Sequence, residues 1–288
     1  MTQPLFEHRQ RFAGFDTRVL ELEGAGAPLV LLHGFADSAD TWRPVMALLG
    51  RHERRALAVD LPGFATADPL GAEPVLPQLE SFARAVVEHA VDGSSEPAVV
   101  VGNSLGGCIT LRLAQDHEAE LAGVVPVAPA GLDMAAWFAI IERAPLLRTL
   151  LALPTPVPEQ LVRSVVGQVY RQLAFSRPRL AAGEVVDAFT SHHRDRETVA
   201  RYIATARRLL PELRDPFALE RIDCPVLLVW GDRDRMVGHS GAQRVLDAVP
   251  NARLELFEGC GHCPQVEQAE RLTKLLRDFP VRTTAAAA

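Results

Sequence analysis

A single lysine, Lys274, stands in a chain of 288 residues, so arginine carries nearly all of the positive charge. The 30 basic residues face 36 acidic ones, for a formal net charge of −6. No basic field exists to gather nucleic acid or anionic lipid, and neither partner is expected. Cysteine is also scarce. Cys108, Cys224, Cys260 and Cys263 are too few and too clustered for a disulfide framework, which points to a reduced, cytoplasmic setting. Long apolar runs are missing as well. Stretches such as Pro225–Trp230 have the length of a strand and fall far short of a membrane span. Residues 1–15 interrupt their apolar positions with Glu7, Arg9 and Arg11, unlike the unbroken core of a signal peptide. What remains, 48% apolar and 23% charged residues, is the balance of a globular protein with a large core.

Within that composition, short apolar runs alternate with helical patterns. Pro28–His33, Ala56–Asp60, Ala98–Gly102, Leu121–Val127 and Pro225–Trp230 read as buried strands, and Arg253–Phe257 alternates like an edge strand. Between them, Leu79–Ala90, Leu105–His117, Gly241–Ala248 and Gln268–Phe279 repeat apolar residues at helical spacing. The expected fold class is α/β, a mostly parallel, doubly wound sheet. From about Gly131 to Asp215 the rhythm breaks into helical pattern punctuated by prolines. We expect residues 1–130 and 216–288 to form the core. Residues 131–215 are expected to form a helical lid over the carboxyl edge of the sheet, where open α/β sheets bind ligands.

Gly102-Asn103-Ser104-Leu105-Gly106 directly follows one strand and directly precedes a helix. A tight strand-to-helix turn holds its central residue in strained backbone space, and glycines two before and two after remove the clashes such a turn would create. A serine that merely capped the helix would need neither glycine. Ser104 is therefore the candidate nucleophile. A serine hydroxyl near neutral pH needs an adjacent base. Of the nine histidines, His8, His52, His89 and His117 lie in terminal, loop or helical segments, and His192 and His193 in the lid. His262 follows Glu258-Gly259-Cys260-Gly261, a glycine-rich loop beyond the last strand that can carry an imidazole over the sheet edge. The imidazole in turn needs a carboxylate to hold its tautomer. Asp232 and Asp234 after the Pro225–Trp230 strand both qualify, with Asp133 a more remote candidate.

His33-Gly34-Phe35, Asp60-Leu61-Pro62-Gly63, Gly102–Gly106, Gly231-Asp232-Arg233-Asp234 and Gly261-His262 each stand at a strand end, in this order. With them the chain resembles the α/β-hydrolase fold family over nearly its whole length. The resemblance implies a Ser104–His262–Asp234 triad, the acid lying three residues after the glycine. It implies an oxyanion hole from the backbone N–H groups of Phe35 and Leu105, with His33 shaping that loop. His33, Asn103, Trp137 and Phe138 are expected to border the substrate pocket. Cys260-x-x-Cys263 lacks the further ligands a metal would need, so no metal and no cofactor are expected.

Within the family, the elbow and the Cys260-Gly261-His262 loop look most like the branch holding carboxylesterases and the carbon–carbon hydrolases of aromatic ring-cleavage products. Members of that second group typically place tryptophan after the catalytic histidine, where Cys263 stands here. The expected activity is hydrolysis of a small, largely apolar ester by a monomer or homodimer. The alternatives are a carbon–carbon hydrolase of a vinylogous diketone, or a ligand receptor or lyase on the same fold.

Overall fold

The computed structural model describes residues 3–134, 158–180, 183–193 and 195–279. Trp137 and Phe138 lie outside the described residues. The strands are β1 (Phe6–Phe12), β2 (Phe15–Leu22), β3 (Ala25–Leu32), β4 (Arg54–Val59), β5 (Ala98–Asn103), β6 (Leu121–Val127), β7 (Val226–Gly231) and β8 (Ala252–Phe257). They form one sheet in the order β1-β2-β4-β3-β5-β6-β7-β8. Pairing is antiparallel from β1 to β2 and from β2 to β4, and parallel from there on.

Every residue of β5, β6 and β7 is buried, which is why these strands read as unbroken apolar runs. Successive side chains feed opposite faces. Val30, Leu32, Val100, Val124, Leu228 and Trp230 pack under α2 (Val75–Val91) and α3 (Leu105–Asp116). Leu29, Leu31, Val99, Val101, Val125, Leu227 and Val229 pack against α1 (Arg43–Leu49) and the C-terminal helix Ala269–Arg277. The doubly wound α/β architecture expected from the sequence is present.

The β1–β2 hairpin was not anticipated. Its strands carry Glu7, His8, Arg9, Gln10 and Arg11 along an exposed edge, so burial leaves little apolar pattern to read. Ala13 and Gly14 turn it with φ of 47° and 90°, the positive values a two-residue hairpin uses.

Between β6 and β7 no strand occurs among the described residues. The described residues of the interval include three α-helices: α4 (Glu159–Ala174), α5 (Gly183–Ser191) and α6 (Arg196–Glu212). Glu212 of α6 accepts the backbone N–H groups of Val75 and Leu76, both at 2.8 Å, and so caps α2.

Candidate active site

Ser104 sits between β5 and α3 at φ 54° and ψ −111°, a region that L residues rarely occupy. Neighbouring chain enforces this geometry. A Cβ on Gly102 would run into the carbonyl of Gly106, and one on Gly106 into the carbonyl of Leu32. Only glycine fits at either place, which lets α3 begin directly at Leu105 beneath the serine. The N–H of Leu105 belongs to the first turn of that helix, where no intrahelical acceptor exists.

The loop after β3 crosses in front of this turn. Gly34 lies so close that a Cβ there would stand 3.2 Å from Ser104 Cβ. His33 holds the loop from behind: Leu61 N–H donates to its Nε2 at 2.8 Å, so its Nδ1 carries the proton and donates to Gly34 O at 2.7 Å. Burial pushes its pKa down to about 4, which keeps the ring neutral. Phe35 packs its ring edge-on to Phe64, centroids 5.1 Å apart.

Beyond β7, Asp234 turns inward. Its Oδ1 accepts from Met236 N at 2.7 Å and Val237 N at 3.0 Å, which leaves Oδ2 for His262 Nδ1 at 2.7 Å. Both side chains are almost fully buried, at 0% and 4% exposure, so their interaction is little weakened by water. Asp232 instead accepts from Cys260 N at 3.2 Å, and Asp133 bonds Ser240 at the surface. Geometry thus separates three aspartates that the residues alone left open. His262 Nε2 is buried without a hydrogen bond, so the Ser104 hydroxyl does not reach it in this resting arrangement. Such contacts commonly tighten only around substrate.

Two expected pocket residues are placed differently. The His33 ring is fully buried with both nitrogens engaged, and it supports the loop instead of facing a ligand. Asn103 is 2% exposed and its amide is fully engaged. Nδ2 donates to His262 O at 3.0 Å and Val127 O at 3.3 Å, while Oδ1 accepts from Gln265 Nε2 at 3.2 Å. Gln265 also donates to Thr41 Oγ1 at 3.1 Å, so one buried amide pair joins the elbow, the histidine loop and the loop after β3.

Glu267 escaped sequence reading too. Its Oε1 accepts from Gly261 N at 2.6 Å, and its Oε2 from Ser176 N at 3.0 Å and Ser176 Oγ at 2.6 Å. His262 N donates to Ala174 O at 2.8 Å. The end of α4 is thereby fastened to the loop that carries the imidazole. No signal in the local sequence distinguishes Gln265 or Glu267 from ordinary helix-start polar residues.

An aromatic arc continues from that junction. Tyr170 meets Phe175 edge-on at 5.3 Å and stacks on Phe189 at 3.7 Å; Phe189 meets His193 at 4.7 Å, and His193 meets Tyr202 at 5.2 Å. Tyr202 then reaches Phe35 at 6.4 Å, so the arc runs from beside Cys263 back to the loop in front of Ser104. Burial lowers His193 to about 4, and the ring behaves as an apolar member of the series. All four cysteines are buried thiols outside any disulfide. Among the described residues, no cluster of His, Cys, Asp and Glu is suited to a metal ion, and no helix is long and apolar enough to cross a membrane.

Comparison with known proteins gives a consistent picture. The profile described as "Alpha/beta hydrolase family" matches residues 29–275. The monoacylglycerol lipase ABHD6 of Homo sapiens is 23% identical over 261 residues, covering 87% of this chain and 74% of that protein. The 2-hydroxy-6-oxo-6-(2'-aminophenyl)hexa-2,4-dienoic acid hydrolase of Metapseudomonas resinovorans is 27% identical over 276 residues, covering 92% and 88%. Among solved structures, a bacterial membrane phospholipase A superposes with a TM-score of 0.78 at 22% identity, over 96% of this chain and 85% of that one.

Proposed function

The chain belongs to the alpha/beta hydrolase family, and from that premise we propose that it is a serine hydrolase cleaving a carboxylic ester through an acyl-enzyme on Ser104. The observation that carries this reading is the pairing of a serine forced outward at the elbow with a buried Asp234–His262 couple whose Nε2 is unoccupied. Because Nδ1 donates to Asp234, Nε2 bears the lone pair and can accept the serine proton.

Rotation of the Ser104 side chain toward Nε2 precedes attack. Oγ adds to the ester carbonyl as His262 takes its proton, and Asp234 stabilises the imidazolium. Negative charge on the substrate oxygen faces the N–H of Leu105 at the start of α3 and that of Phe35 in the adjoining loop. Collapse expels the alcohol, which leaves with the proton from His262. Water then repeats the sequence: it gives a proton to the same nitrogen, attacks the acyl-serine, and the acid departs as Oγ recovers its proton.

We further propose that residues 131–215 act as the lid. The contacts of α4 with the His262 loop and the aromatic arc of α4–α6 support an apolar chamber over the serine. Carbon–carbon hydrolysis is the second reading, favoured by the 27% identity to a dienoic acid hydrolase. The deciding experiment is a panel of acyl-graded esters beside a vinylogous diketone, together with fluorophosphonate labelling. We expect ester turnover and label on Ser104, both abolished in Ser104→Ala with a loss of at least roughly a thousandfold. Label on another residue, or diketone turnover without ester turnover, would overturn the reading.

A further inference from the structure

The loop that carries Phe35 is held at both ends by one neighbour, the turn that begins at Asp60. At the near end Leu61 N donates to His33 Nε2 at 2.8 Å. At the far end Asp60 Oδ1 accepts from Ala39 N at 2.8 Å. Between them, Asp37 N donates to Gly34 O at 3.4 Å and Ser38 N to the buried Asp37 Oδ1 at 2.8 Å, so the span folds on itself. Ala36, next to Phe35, takes a φ of 58°, a value that L residues rarely adopt and that only firm surroundings maintain. The position of the Phe35 N–H therefore depends on where Asp60 and Leu61 stand.

Asp60 is in turn held by Arg18 of β2. The guanidinium grips it with two bonds, Nε to Oδ2 and Nη2 to Oδ1, both at 3.1 Å. It grips Asp40, the residue after Ala39, with two more, Nη1 to Oδ1 at 3.1 Å and Nη2 to Oδ2 at 2.7 Å. Arg43 also answers Asp40, but no second arginine or lysine among the described residues pairs with Asp60. The Asp60 carboxylate is fully buried, and the Arg18 and Asp40 side chains are 13% exposed. Burial opposes a charge on Asp60, yet the guanidinium holds its carboxyl below the ordinary carboxylate range. Stability alone is a poor reason for such a cluster, because well-packed apolar residues in place of buried ions are often as stable or more so. Apolar side chains could not aim a carboxylate at Ala39 N while one fork seats the next residue of the same loop.

We propose that Arg18 is a positioning residue of the oxyanion loop: through Asp60 and Asp40 it fixes where the Phe35 N–H meets the developing negative charge. This rests on the serine-hydrolase reading and extends it to a residue outside the triad. A planar fork can serve two carboxylates at once, whereas the compact ammonium of lysine keeps the charge and loses the paired geometry. Loosening the loop should therefore spare substrate binding and weaken the transition state, where that N–H is needed most.

The test is Arg18→Lys, with Arg84→Lys as control. Arg84 also joins two carboxylates, Asp116 and Glu118, but at the opposite end of α3 from Ser104. Rates on an activated butyrate ester are expressed per site labelled to completion by a fluorophosphonate, so that a smaller folded fraction cancels. In Arg18→Lys kcat should fall about tenfold or more while KM stays within about twofold. A butyl trifluoromethyl ketone forms an adduct with Ser104 that places a negative oxygen in the same hole. Its inhibition should weaken by the same factor as kcat/KM. Arg84→Lys should change the thermal midpoint at most. If Arg18→Lys likewise lowers only the midpoint or the labelled fraction, with kcat and ketone binding at wild-type values, its role is structural and the proposal is overturned. A rise in KM at unchanged kcat would overturn it too, since the clamp would then be shaping the substrate pocket. If the wild type turns over no ester and Ser104 takes no label, the hydrolase reading falls and the positioning role with it.

Discussion

Asp232 and Asp234 leave one turn in different directions, and their fates should differ accordingly. Asp234→Asn should cost roughly four decades in turnover, because an amide donor facing Nδ1 favours the wrong imidazole tautomer. Asp232→Asn keeps an acceptor for Cys260 N and should cost little. Steady-state rates on one activated ester decide the matter, and a reversed pattern would move the acid to Asp232. In the sequence these two were separable only through family spacing, since a turn aspartate looks the same whichever way it points. Ser104 was legible for a better reason: its local flanks, Gly102 and Gly106, encode the turn by themselves. Asp37, Gln265 and Glu267 were not legible at all. Gln265 bonds partners 162 and 224 residues away in the chain, and no local pattern reports such meetings.

Elements were easier to read than contacts. β5, β6 and β7 announced themselves because burial on both faces demands continuous apolar residues. The β1–β2 hairpin did not, because its exposed edge is satisfied by charge. How α4 meets the histidine loop was also hidden, since it depends on one carboxylate receiving donors from two elements. Removing that carboxylate in Glu267→Ala should leave Gly261 N and Ser176 N without partners, at a cost of about 2–4 kcal/mol in stability. It should also lower kcat about tenfold or more by loosening His262. Glu267→Gln, nearly isosteric, should recover part of both. Thermal melts beside kcat measurements test this; an unchanged kcat in Glu267→Ala would mean that Asp234 and Asn103 hold the imidazole without help from α4.

Across the whole molecule, buried ionisable groups set opposing responses to acid. His33 and His193 titrate at about 4 when folded against 6.5 as free groups. Between those values the unfolded chain binds protons that the folded chain refuses, so stability drops as pH falls through that window. Asp37 works in the other sense: folded, it holds its proton up to about 7 against 3.8 unfolded, so it weakens the fold as pH rises toward 7. Asp37→Asn removes this opposing response. Its thermal midpoint at pH 8 should exceed that of the wild type, and its fall between pH 8 and pH 5 should be steeper. Equal midpoints at pH 8 would show that Asp37 is not strained by burial. The wide separation of the elbow from the histidine loop, 159 residues between Asn103 and His262, has a consequence for synthesis. On the ribosome Ser104 emerges long before His262, and Gln265 and Glu267, which hold the histidine loop, emerge later still. Under the proposed pairing of Ser104 with His262, a growing chain carries an unarmed serine until residue 262 has emerged, and a product cut short before that residue is chemically silent.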